Sequence, residues 1–283
     1  MPANSFEVRF DNAILRGEAE GFGLPVVFLH AGVADRRMWR EQMREVVAAG
    51  YHVIAYDQRG HGETETPDEP FNHLADLEAV LDQLDIHAAI FVGCSNGGRI
   101  AIDFALENPN RVIGLVLVGT SVSGRPETEL DDELQMLEDA RDHALERGNF
   151  QQAGRIEAHM WLDGPLSDSG RVEGEPRELF LDMLRIVHEH PKLTQQEEPE
   201  PAFDNIGNIH APTLLIVGSL DYPDLIELHE TLSEEIADSF AIVLEDTAHL
   251  PNLERPDLFN PVLLEFLDAI AGVSEIGDAE AEE

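Results

Sequence analysis

One seven-residue stretch, Val92-Gly93-Cys94-Ser95-Asn96-Gly97-Gly98, constrains the fold of this chain more than any other. It joins an apolar run, residues 88–92, to a helix-like run, residues 99–107. A G-x-S-x-G pattern between a strand and a helix holds its serine on a sharp turn, exposed where a base can reach it. That exposure matters because a serine hydroxyl is a poor nucleophile at its own pKa and needs an adjacent base. Side chains at Gly93 or Gly97 would collide with the neighbouring strand or helix. Ser95 is therefore the candidate nucleophile, and the order of acid, base and oxyanion donors elsewhere in the chain tests the assignment.

The rest of the pattern is strand alternating with helix. Residues 25–29, 88–92, 112–118 and 212–217 are continuous apolar runs, as expected of strands buried on both faces of a parallel sheet covered by helices. Residues 52–56 and 241–244 read as further strands, and 72–84 as a helix with Asn72 as N-cap. At the start, 6–10 and 13–18 form a hairpin turning at Asp11-Asn12, at the edge of the sheet. Between 124 and 201 the strand signals vanish and acidic helical stretches (127–147, 150–162 and 177–188) take over. The alternation then resumes and ends in a helix from Pro256 to about Ile270. The fold class is α/β: a core of residues 1–123 and 202–272, a helical cap inserted at 124–201, and an acidic disordered tail at 273–283. Cap residues Met136, Leu137, Met160, Trp161, Phe180 and Met183 would partly line a pocket, although ordinary helix packing is the stronger reading for each.

Three candidate groups then fall in the order Ser95, Asp221, His249, each just past the end of a strand. Ligands bind at the carboxyl ends of the strands in an open parallel sheet, so residues remote in sequence converge there. His249 would take the proton of Ser95, and Asp221 would hold the imidazole in the needed tautomer. Backbone N–H groups of Gly32, in the loop after 25–29, and of Asn96 would bind the oxyanion, each worth a few kcal/mol. Asp224 is a second candidate acid, and His61 competes for the base role but has no orienting carboxylate at an obvious spacing. His30 braces its loop, and Asp57 with Arg59 fixes a turn. His188-Glu189-His190 lacks a third ligand at metal-binding spacing.

The stretches VVFLHAGVADRRMW, YDQRGHGET, VGCSNGGRIAIDFALENPNRV, LLIVGSLDYPD and DTAHLPNLERP together resemble the α/β-hydrolase superfamily, in its capped esterase, lactonase and C–C hydrolase-like branch. The resemblance spans residues 25–270 apart from the cap. It implies an α/β-hydrolase fold, no cofactor, a small-molecule substrate, and Gly32 at the position of the earlier oxyanion amide. Two departures bear on the pocket: Ala31 stands where glycine is common, and Asn96 replaces a bulkier apolar residue or glutamine. Serine rather than aspartate at 95 sets aside alkyl-enzyme chemistry. The preferred reading is a serine hydrolase of a small ester, thioester or lactone; a C–C bond hydrolase, a perhydrolase and a non-catalytic binding member of the fold are the alternatives.

Charge narrows the setting. With 57 acidic and 18 basic residues the net charge is -39, and Lys192 is the only lysine. Such a surface repels nucleic acid and anionic membranes. Its self-repulsion destabilises a compact state unless salt screens it, the screening length falling to about 3 Å at molar salt. The expectation is a protein adapted to a cytoplasm of high ionic strength, as in salt-accumulating halophiles. Cys94, the single cysteine, can form no internal disulfide and excludes a cysteine-built zinc site. No basic start followed by an apolar core marks a secretory signal, and no apolar stretch is long enough to span a membrane.

Overall fold

The computed structural model describes residues 4–281, with side chains described for 4–272. Among these residues, eight strands form one sheet in the order β1-β2-β4-β3-β5-β6-β7-β8. The strands β1 (Asn4–Phe10) and β2 (Ala13–Gly21) make the expected hairpin, Phe10 opposite Ala13 with Asp11 at φ 51° in the turn. β2 then runs antiparallel to β4 (His52–Tyr56). From there β4, β3 (Pro25–Leu29), β5 (Ala89–Cys94), β6 (Val112–Val118), β7 (Thr213–Gly218) and β8 (Ser239–Leu244) are parallel.

Alternation along each central strand divides the core between the two faces. Val26, Phe28, Val92, Val116 and Ile216 point to one side, where they meet α1 (Arg40–Ala48) and α9 (Pro256–Ala281). Val27, Leu29, Phe91, Leu115 and Leu215 point to the other, against α2 (His73–Gln83), α3 (Asn96–Glu107) and α7 (Pro223–Glu235). Burying each such side chain is worth about 1.5–3 kcal/mol, so both faces must be covered, and this is why the runs are almost wholly apolar, Thr213 at the start of β7 turning its hydroxyl onto the Ala211 carbonyl. As expected, Asn72 caps α2 by accepting from the Leu74 N–H at 2.7 Å.

Three helices lie between β6 and β7: α4 (Asp132–Glu146), α5 (Phe150–Ala158) and α6 (Glu175–Glu189). α5 runs into a π-helical turn, His159–Asp163. A short helix α8 (Pro251–Glu254) precedes α9. Two sequence expectations need correction. Helix α7 went unread, and α9 continues to Ala281 instead of ending near 270. The tail expected at 273–283 falls on residues whose side chains lie outside those described, and 282–283 lie outside them altogether.

The order of the sheet positions the site. Chain progress from β3 to β4 moves one way across the sheet, and from β5 onward it moves the other way, so the topology switches between β3 and β5. The crevice at that point, beyond the carboxyl ends of the strands, is where this architecture binds ligands.

Candidate active site

Ser95 immediately follows β5 and caps α3 at φ 53°, ψ -115°, a left-handed backbone that a non-glycine residue holds only when its surroundings over-determine it. Those surroundings are two close packings. A Cβ at Gly93 would strike the carbonyl of Gly97, and one at Gly97 would strike the carbonyl of Leu29 at the end of β3. The Ser95 N–H donates to the Val118 carbonyl at 2.9 Å, tying the turn to β6. The side chain is left half-buried.

On the same rim, past β7 and β8, Asp221 and His249 form a buried pair. His249 Nδ1 lies 2.9 Å from Asp221 Oδ2 and 3.1 Å from Oδ1. Asp221 Oδ1 also accepts from the Tyr222 N–H at 2.8 Å, which fixes the carboxylate plane. With Nδ1–H donating to a carboxylate, Nε2 is the lone-pair nitrogen of the neutral ring. Gly119, one residue after β6, completes the packing: at φ 47° it brings its backbone so close that a Cβ there would sit 3.0 Å from both Asp221 Oδ2 and His249 Nδ1. The Cys94 thiol reaches the His249 carbonyl at 3.7 Å, so the turn and the histidine loop are direct neighbours.

The competitors are engaged elsewhere. Asp224 pairs with Arg125 at 3.1 Å. His61 faces two carbonyls, Arg59 O at Nδ1 and Gly32 O at Nε2, both at 3.0 Å, and no carboxylate orients it. Arg59 is buried in a forked bond to Asp76, Nε 2.9 Å from Oδ2, and Asp57 accepts from the Arg36 and Glu63 backbone N–H groups, so both shape the loop. His188 lies 3.0 Å from Glu157, and His190 bonds the Gly62 carbonyl at 3.1 Å.

Gly32 and Asn96 lie side by side, a Cβ at Gly32 falling 3.7 Å from that of Asn96. Asn96 is the first residue of α3, where the N–H has no partner within the helix and the dipole favours negative charge. Sequence reasoning missed the side-chain bonds that hold Asn96. Asn96 Nδ2 donates to Gln58 Oε1 at 2.8 Å, and Arg99 Nε donates to Asn96 Oδ1 at 3.1 Å. Gln58 in turn is held by His30, whose Nε2 accepts from the Gln58 N–H at 2.9 Å while Nδ1 bonds the Ala31 carbonyl at 2.8 Å. Burial pushes the His30 imidazole down to about 3, so it stays neutral and serves as a brace, as the sequence reading has it.

A cavity of about 950 Å³ opens beside Gly32 and Asn96, walled by Phe71, Leu145, Phe150, Val187 and Leu193 with His61, His188 and Lys192 among its polar groups. Ser95 and His249 do not line it; His249 lies under Trp161, ring centroids 4.8 Å apart. Of the six inserted-segment residues expected around a pocket, Met160, Phe180 and Met183 are fully buried in helix packing and Met136 is largely exposed. Leu137 packs beside Leu134 and Met160, while Trp161 meets the ring of His249.

Residues 25–256 match the family model of the alpha/beta hydrolase fold. The chain is an α/β-hydrolase. Its similarity to curated enzymes supports the same placement. The hydrolase is 39% identical over 265 residues to a non-heme chloroperoxidase of Streptomyces lividans, covering 87% of this chain and 92% of that one. It is 27% identical over 239 residues to the 3-oxoadipate enol-lactonase 2 of Acinetobacter baylyi, covering 83% and 85%. Among solved structures, Est816, described as an N-acyl homoserine lactone degrading enzyme, superposes with a TM-score of 0.70 at 26% identity, covering 92% of this hydrolase and 99% of Est816.

Proposed function

We propose that this α/β-hydrolase cleaves a small ester, thioester or lactone through an acyl-enzyme on Ser95. The observation that carries the reading is the buried His249–Asp221 hydrogen bond on the rim that also holds the strained Ser95 turn. Ser95 Oγ attacks the substrate carbonyl carbon and its proton passes to His249 Nε2. The developing oxyanion is met by the N–H groups of Gly32 and Asn96. His249 then returns the proton to the departing alkoxide or thiolate, leaving the acyl group on Oγ. Water, deprotonated by the same imidazole, releases the carboxylic acid and restores Ser95. Asp221 keeps Nδ1 protonated throughout and stabilises the imidazolium. Helices α4 to α6 serve as a cap (residues 124–201) that shapes the pocket over a core of residues 1–123 and 202–272. The setting we infer is a cytoplasm of high ionic strength.

A second reading, a perhydrolase, is supported by the similarity to the chloroperoxidase. Hydrogen peroxide would replace water as the acyl acceptor, giving a peracid and free Ser95.

The test is fluorophosphonate labelling in molar potassium chloride followed by turnover of short-chain aryl esters, lactones and diketones, with and without peroxide. Labelling and ester or lactone hydrolysis are expected in the wild type and lost in Ser95→Ala. Labelling that survives the substitution removes Ser95 from the chemistry, and peracid formation outpacing hydrolysis selects the second reading.

A further inference from the structure

Trp161 comes from the inserted helical segment, yet its indole stacks on the rim. It meets the His249 ring at 4.8 Å with planes at 49°, and the Tyr222 ring at 4.9 Å with planes at 33°. Tyr222 is the residue whose N–H fixes the Asp221 carboxylate, so one indole touches both the histidine of the acid–base pair and the neighbour that holds its aspartate. Trp161 itself is only half-buried, unlike Trp39, which is sealed in the core.

The turn that presents this indole is π-helical, His159–Asp163, a geometry that places a side chain off the ordinary helical register and recurs at functional sites. It is firmly anchored. The buried Asp163 carboxylate accepts from the N–H groups of Gly170 at 2.7 Å and Val172 at 3.0 Å and from Arg177 at 2.8 Å. Arg171 donates to the Asp163 carbonyl at 2.7 Å and the Leu162 carbonyl at 2.9 Å, both on the turn. The same guanidinium reaches the Asp246 carbonyl at 2.9 Å and the Glu254 carboxylate. Glu254 then accepts from the Ala248 N–H at 2.9 Å, one residue before His249. A single arginine thus ties the turn carrying Trp161 to the loop carrying His249.

We propose that Trp161 is a positioning residue that acts through His249, holding the imidazole in the plane of its bond to Asp221, with Arg171 and Glu254 clamping the indole in place. The proposal rests on the serine-hydrolase reading. An imidazole bonded at Nδ1 alone can still rock about that hydrogen bond and carry Nε2 with it, and a misplacement of about 1 Å in a catalytic group costs on the order of 10²-fold in rate. A bulky indole tilted against the ring at 4.8 Å leaves no room for that motion.

The test compares Trp161→Ala and Trp161→Phe with wild type on p-nitrophenyl acetate, together with fluorophosphonate labelling and far-UV circular dichroism. Trp161→Ala should lose on the order of 10²-fold in kcat with KM little changed, and Trp161→Phe should recover most of the loss. A spectroscopic arm uses the native fold in a Trp39→Phe background, where all indole emission is from Trp161. Acidification should quench it as the facing imidazole gains a proton, and His249→Gln should abolish the quench. Asp221, Glu138, Arg141, His159, Asp163, Arg171 and Glu254, charged or titratable groups around the pair, remain in that variant as controls. Unchanged kcat in a folded Trp161→Ala, a rise confined to KM, or a quench that persists in His249→Gln overturns the proposal. Should Trp161→Ala fail to fold, Trp161→Phe and the emission titration decide. Wild type that resists labelling at Ser95 sinks the hydrolase reading itself; labelled wild type with unaffected Trp161 variants sinks only this inference.

Discussion

Several side chains around the rim do their work by being held rather than by reacting, and His30 is the clearest. Buried between Gln58 and the Ala31 carbonyl, its imidazole falls from 6.5 to about 3, and His73, also buried, falls likewise. The sign follows from linkage: between those values the unfolded chain binds the proton and the folded chain does not. The stability His30 contributes is therefore complete above pH 6.5 and drains away as pH falls toward 3. Urea midpoints measured at pH 7 and pH 5 should drop more in wild type than in His30→Gln; equal drops would mean that His30 titrates alike in both states. At this scale the candidates Ser95, Asp221 and His249 could be picked out because each follows the end of an apolar run, and the His249–Asp221 contact is the part of that pattern visible in the fold. The contact of Trp161, read only as a pocket residue, with His249 could not, nor could the Gln58–Asn96–Arg99 brace. Their partners come from other elements, and no spacing within one segment records such a meeting.

Elements were legible in proportion to their burial. β3, β4 and β6 fall on the residues read for them, since a strand covered on both faces has no freedom to carry polar residues inside its run. α7 was missed because its apolar stripe of Leu225, Leu228 and Leu232 is spread among Asp, Glu and His, although Pro223 in its first turn was a usable start signal. The inserted segment was legible as helical but not in its π-turn, which depends on the anchoring of Asp163. Between elements, the join of the β4 loop to α2 rests on a buried ion pair. Arg59 and Asp76 are both buried, and removing the arginine leaves a carboxylate without its partner. Arg59→Leu should cost about 3–5 kcal/mol in urea unfolding, and Arg59→Leu combined with Asp76→Leu should recover much of it. A single variant as stable as wild type would show that the pair does not pin the loop.

Across the whole molecule, most of the arginines are spent on ion pairs with neighbouring carboxylates, as with Arg36, Arg37, Arg171 and Arg177, yet the net charge remains -39. Among the described residues no helix is long and apolar enough to cross a membrane. Repulsion between the unpaired carboxylates opposes compaction, and mobile ions relieve it. Dialysis from molar into low potassium chloride should lower the melting temperature and then unfold the chain; a circular dichroism melt that is the same in both would contradict adaptation to salt. On the proposed reading the chemistry runs through one hydroxyl, that of Ser95, and trapping its intermediate is the most direct test. Mass spectrometry of enzyme quenched within milliseconds of mixing with p-nitrophenyl acetate in molar salt should find an acetyl group on Ser95, absent in Ser95→Ala, accumulating when His249 is replaced by a residue too weak to activate water only if acylation still proceeds. An unmodified Ser95 in enzyme that is turning over, or undiminished turnover in Ser95→Ala, would contradict the account.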